Sequence, residues 1–166
     1  MNVAHLIGNG PSKKLFSGIP DAPIFGCNLG EQSLKLEATF IMDRSVIYHL
    51  QNNSITLDFP VIIPNSLERH VRNYAKNLRV YDTVPRDLIN GESTGHMAVE
   101  YLLKKGCREI HMWGFDSLHE NSVLSDTQGK IPGSIADPKN YLRWRERWNQ
   151  IFNSEAGQQC SFLIHR

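Results

Sequence analysis

Short apolar runs alternate along this chain with stretches of helical periodicity, and that alternation limits the folds open to it. Seven runs have strand character: 3–7, 23–27, 38–42, 60–63, 78–81, 109–113 and 161–164. Several are continuously apolar, as expected of strands covered on both faces. Between them, 66–76, 94–105 and 138–152 carry apolar residues at helical spacing. In 94–105 these are Met97, Ala98, Tyr101 and Leu102, followed by Gly106 as a helix stop. In 138–152 they are Tyr141, Trp144, Trp148, Ile151 and Phe152, a stripe expected to be core, with Arg143, Arg145 and Arg147 on the solvated side. Strand–helix alternation predicts βαβ units in a doubly wound, mostly parallel α/β sheet with helices on both faces. At 166 residues there is room for one ordinary domain.

Five polar or glycine-bearing corners follow the strand-like runs: Gly8-Asn9-Gly10-Pro11-Ser12, Cys27-Asn28, Asp43-Arg44-Ser45, Glu92-Ser93-Thr94-Gly95 and Gly114-Phe115-Asp116. Open parallel sheets bind ligands beyond the carboxyl ends of their strands, so these corners mark the expected site. In the first, glycines allow a sharp turn and close approach to main-chain amides, and Ser12 is placed to cap a following short helix. It is neither a dinucleotide fingerprint, since Lys13 stands at the third glycine position, nor a P-loop. Asn28 suits a ribose hydroxyl or a base edge, or simply a turn. Asp43 suits a sugar hydroxyl, a metal, or the N-cap of a helix from Arg44. Ser93, Thr94 and Gly95 offer two hydroxyls and main-chain amides at a helix start. Asp116 can take a hydroxyl or a cation.

Charge and composition exclude several classes. Eighteen basic residues against 17 acidic give a net charge of +1, which provides no electrostatic footprint for nucleic acid. Cys27, Cys107 and Cys160 form no CxxC pair, which predicts a reducing, cytoplasmic setting and no zinc site. The N-terminal residues lack the basic and apolar regions of a signal peptide, and no run approaches the roughly 20 apolar residues of a membrane span. Neither a Ser-His-Asp order nor HExxH is present. The polar stretch 117–136, with Gly129, Pro132 and Gly133, is expected to be a lid or flexible loop, and His119 within it is placed like a catalytic group.

Gly8-Asn9-Gly10-Pro11-Ser12, Cys27-Asn28, Ser93-Thr94-Gly95 and the run from Gly106 to Asp116 resemble two related Rossmann-like groups. One is the bacterial sialyltransferases of glycosyltransferase family 42. The other is the archaeal 6-hydroxymethylpterin diphosphokinase-like proteins, grouped as domain of unknown function 115. The resemblance covers the first two-thirds of the chain and implies a single nucleotide-binding domain over 1–166. It implies that Gly8, Asn9, Gly10, Ser12 and Asn28 contact a cytidine nucleotide and that Asp43 is a further polar ligand. It makes Ser93, Thr94 and Gly95 a cradle for phosphate and sugar carboxylate, and Gly114, Phe115 and Asp116 a base–ribose corner. The partner is then a nucleotide or nucleotide sugar, such as an activated sialic acid. The diphosphokinase branch would add Mg²⁺ held by acids such as Asp43 and Asp116, and a non-catalytic nucleotide-binding module is the third reading. The chain departs from the sialyltransferases in two ways: 117–136 contains no tyrosine, and Asp137 or Pro138 stands where their catalytic histidine falls. Asp137 and His119 are accordingly the candidate bases.

Overall fold

The computed structural model describes residues 1–18, 21–86, 92–120, 131 and 138–166. Seven strands form one sheet: β1 (Val3–Ile7), β2 (Ile24–Cys27), β3 (Ala38–Phe40), β4 (Val61–Pro64), β5 (Val80–Val84), β6 (Glu109–Trp113) and β7 (Ser161–His165). Every pairing is parallel, in the order β5-β4-β3-β2-β1-β6-β7. The described helices are α1 (Arg44–Asn52), α2 (Glu68–Tyr74), α3 (Thr94–Lys104), α4 (Pro138–Phe152) and α5 (Glu155–Gln158). The fold is α/β and Rossmann-like, with a fully parallel sheet.

Strand alternation sorts the core into two layers. Ala4, Leu6, Phe40, Ile110 and Met112 face Met97, Leu102, Trp148 and Ile151 of α3 and α4. Val61 and Ile63, one residue out of phase, face Val46, Ile47 and Leu50 of α1 and Val71 of α2. Helices thus cover both faces, which explains why the central strands are mostly apolar, with His5 and Thr39 as buried polar exceptions. Ile131 packs into the second layer; 121–130 and 132–137, which hold most of the expected lid and Asp137, lie outside the described residues.

Several elements differ from the pattern-based expectation: β3 stops at Phe40 and not at 42, and β4 spans Val61–Pro64 and not 60–63. The fifth strand runs from Val80, not Leu78, because β5 is an edge strand with an exposed start, while buried Leu78 belongs to the turn before it. The segment after β1 is a 3-10 helix, Pro11–Leu15, with Gly10 at its N-cap. Ser12 therefore lies inside this helix and does not cap it.

The chain leaves β1 toward β2 and later returns to place β6 on β1's other side. The topological switch point falls between β1 and β6, where a parallel sheet opens a crevice at its carboxyl edge. No described helix is long and apolar enough to cross a membrane.

Candidate functional site

The loops after β1 and β6 meet at this switch point through their backbones. The Gly8 N–H donates to the Trp113 carbonyl at 2.6 Å and the Gly10 N–H to the Gly114 carbonyl at 2.8 Å. A Cβ on Gly8 would stand 2.6 Å from the Gly114 carbonyl oxygen. One on Gly114, where φ is 76°, would stand 2.9 Å from that of Gly8. Glycine is thus required at both positions for loop-to-loop contact, before any ligand is considered. Ser12 and Asp116 latch the same junction. The Ser12 hydroxyl donates to Asp116 Oδ2 at 2.8 Å and accepts the Gly114 N–H at 3.1 Å, while the Ser12 N–H reaches Oδ2 at 3.1 Å.

Beside the latch lies a cavity of about 130 Å³. Its walls come from Gly8 and Asn9 after β1, Cys27 and Asn28 after β2, and Ser93, Thr94 and Gly95 at the start of α3. Gly114, Phe115 and Ser117 after β6, with Trp144 and Trp148 of α4, complete them. The volume is below the roughly 300–1,000 Å³ usual for small-molecule sites, so it encloses one moiety of a ligand rather than a dinucleotide. Larger cavities of about 550, 410 and 380 Å³ lie elsewhere, at the ends of α1 and α2 and around Asp82, Tyr101 and Lys105. The smaller one carries the functional argument because it alone of these four gathers the carboxyl ends of β1, β2 and β6.

Asn28 organises the middle of the cavity. Its φ of 57° is left-handed, a conformation asparagine tolerates better than most residues. The backbone there is held by its N–H on the Phe40 carbonyl (2.7 Å) and its C=O under the Thr39 hydroxyl (3.0 Å). The Thr94 hydroxyl donates to Asn28 Oδ1 at 3.1 Å, which leaves the two Nδ2 protons without an acceptor among the described residues. The Asn9 side chain makes no hydrogen bond among the described residues and lines the same cavity. Two amides are therefore available to a ligand.

Ser93 is the N-cap of α3, and His96 replaces the usual Glu or Gln of a capping box. The Ser93 N–H donates to His96 Nδ1 at 2.8 Å, which leaves the ring proton on Nε2, 3.0 Å from the Trp144 carbonyl. The ring is fully buried against Trp148, and burial lowers its pKa to about 4, so it is neutral at pH 7. His96 ties α3 to the tryptophan wall of α4. Gly95 completes that wall, since a Cβ there would stand 2.7 Å from the Phe115 ring.

No described residue lining the cavity carries a charge: burial pushes the Cys27 thiol up to about 12, so it stays protonated. The structure therefore gathers Gly8, Asn9, Asn28, Ser93, Thr94, Gly95, Gly114 and Phe115 around one cavity. Gly10, Ser12 and Asp116 belong to the junction behind it. Asp43 is the exposed N-cap residue of α1, makes no side-chain capping bond and does not line the cavity. His119 is exposed at the end of the 3-10 helix Asp116–Leu118, outside the lining. The carboxylates expected for Mg²⁺ do not converge, Asp116 being held by Ser12, and no described group of three His, Cys, Asp or Glu has metal-holding geometry. The described residues do not fit a Mg²⁺ site.

Sequence reasoning missed Ser117 and the site-facing role of Trp144 and Trp148. Their spacing is that of a core stripe, and Trp148 is both core and wall. Nor is the basic side of α4 uniformly solvated: Arg147 is in ion pairs with Glu92 and Glu100, and Arg145 is half-buried. Compared with known proteins, the chain matches no family model, no curated protein and no solved structure.

Proposed function

We propose that this chain binds a nucleotide, in the form of a nucleotide sugar such as CMP-sialic acid, at the β1–β6 switch point, and that it is a sialyltransferase-like glycosyltransferase. One observation carries the reading: four loops distant in sequence converge on an uncharged cavity in which the Asn9 amide and the Asn28 Nδ2 group have no partner among the described residues. Neutral amides, hydroxyls and main-chain N–H groups recognise base edges and sugar hydroxyls, and the start of α3 favours phosphate.

In the transfer step, an acceptor oxygen bonds to the anomeric carbon while the bond from that carbon to the phosphate oxygen breaks. The electron pair leaves with the nucleotide and the acceptor proton goes to a base. Of the two candidates, Asp137 lies outside the described residues. His119 lies two residues beyond Ser117, and desolvation, with Arg166 and Arg145 nearby, holds its pKa below the ordinary value. It is thus neutral and able to accept a proton at pH 7. A non-catalytic nucleotide-binding module is the second reading, favoured by the lack of a titratable base among the described lining residues. Three cysteines without a disulfide partner agree with a cytoplasmic setting.

A thermal-shift panel of CMP, CDP, UDP and ATP, each with and without Mg²⁺, tests the binding claim. Cytidine nucleotides should raise Tm without needing the metal, since a ligand bound only by the native state stabilises it. Asn9→Ala should weaken CMP binding by about 1–3 kcal/mol, the cost of losing a buried polar contact. The unliganded Tm should hardly change, because Asn9 bonds to no described residue. Equal CMP affinity for wild type and variant would remove Asn9 from the site.

A further inference from the structure

The cavity has no cation in its described wall, although a nucleotide brings phosphate. We infer that Arg145 of α4 is the residue that reads the charge of the ligand, taking a phosphoryl oxygen at the Ser117 rim of the cavity.

Three observations support this. First, the Arg145 guanidinium is bonded to a residue of the cavity lining: its Nε–H donates to the carbonyl oxygen of Ser117 at 3.1 Å, and its chain neighbour Trp144 is also part of the lining. Second, its Nη2 group is buried and has no hydrogen-bond partner among the described residues. Nε–H and Nη2 share the edge of a guanidinium that binds phosphate or carboxylate side-on, so the unspent donor points the same way as the bond to Ser117. Arginine cannot shed its charge, so a buried, unsatisfied donor on it is costly unless an anion arrives. Third, no carboxylate neutralises it among the described residues. Arg147, two positions on, is paired with Glu92 and Glu100, and Asp116 is taken by Ser12. Glu120 and Arg166 act on the same neighbourhood through His119, but neither is bonded to Arg145.

An anion at the Ser117 rim therefore meets a cation whose position is already set by one backbone bond. The guanidinium needs only to pivot about that bond to present Nη2. Arg145 would then separate phosphorylated from unphosphorylated ligands, while the amides of Asn9 and Asn28 read the rest of the molecule.

The inference takes its ligand class from the nucleotide reading, and the test keeps the two apart. Calorimetric titration of the whole chain with CMP, cytidine and inorganic phosphate is carried out on wild type, Arg145→Gln and Arg145→Lys. Wild type should bind CMP roughly 10- to 100-fold more tightly than cytidine, the worth of a charge-assisted hydrogen bond. Arg145→Gln should abolish that ratio and any binding of inorganic phosphate, leaving cytidine affinity unchanged, while Arg145→Lys should retain part of the ratio. Urea melts of the three proteins confirm that the variants are folded. A CMP-to-cytidine ratio that survives in Arg145→Gln overturns the inference but leaves nucleotide binding standing. Phosphate binding that depends on Arg145, without any response to cytidine or CMP, supports the inference and removes the nucleotide. A wild type indifferent to all three probes overturns both.

Discussion

His96 shows how a single residue can join the site to the stability of the fold. Its Nδ1 caps α3 by accepting the Ser93 N–H, a bond that requires the neutral ring, and its Nε2–H holds α4 by donating to the Trp144 carbonyl. With a folded-state pKa of about 4 against roughly 6.5 unfolded, the native state resists protonation. The contribution is whole above pH ~6.5 and is lost as pH falls from there through about 4, on the order of 3 kcal/mol in total. His5 and His165 are also depressed by burial and add to the slope in the same direction. Urea melts between pH 7.5 and 4 should therefore show falling stability. His96→Gln, which keeps an acceptor for the N-cap, should flatten part of that slope. Parallel slopes for the two proteins would remove His96 as the cause. Nothing in the local sequence marks His96 as this tie, because its role depends on Trp144, 48 positions away. The same holds for Ser12 and Asp116. Their chemistry suits a ligand, and what sequence cannot show is that 104 positions of chain bring them to each other.

Elements of regular period were the legible part. β1, β6 and α4 begin and end where their apolar pattern does, since each buries a complete face. The short α5 has one buried residue, Gly157, and left no periodic trace. Elements are also tied together by a feature no pattern predicts. Glu92, with a side chain 1% exposed, lies between Arg86 and Arg147, and both arginines also reach Glu100 of α3. This closed set of charges fastens the end of β5, the Ser93 corner and α4 to one another. Removing one partner from a buried pair strands a charge and costs about 3–5 kcal/mol. Glu92→Gln should approach that loss in urea denaturation. Glu68→Gln, which breaks the exposed i,i+4 pair with Arg72, should cost less than about 0.5 kcal/mol. Equal losses from the two changes would mean the buried set contributes no more than a surface pair.

At the scale of the molecule, the strand order is what converts scattered corners into a site. The corners at Gly8, Asn28, Ser93 and Gly114 were each legible as polar strand ends or helix starts, but their convergence follows from β1 lying between β2 and β6, with α3 carrying the chain from β5 back to β6. The Asp43 corner did not join them: Asp43 follows β3, two strands from the switch point, where it occupies the N-cap position of α1 without a side-chain capping bond. The central claim, that ligand binds at the switch point and not in the larger grooves, can be read directly by amide NMR. Adding CMP to uniformly labelled protein should shift the resonances of Gly8, Asn9, Asn28, Ser93 to Gly95 and Gly114 to Ser117 together, along one saturating curve. Largest shifts around Gln51, Asn73 and Asn77, in the cavity at the ends of α1 and α2, or no shifts at millimolar CMP, would contradict it.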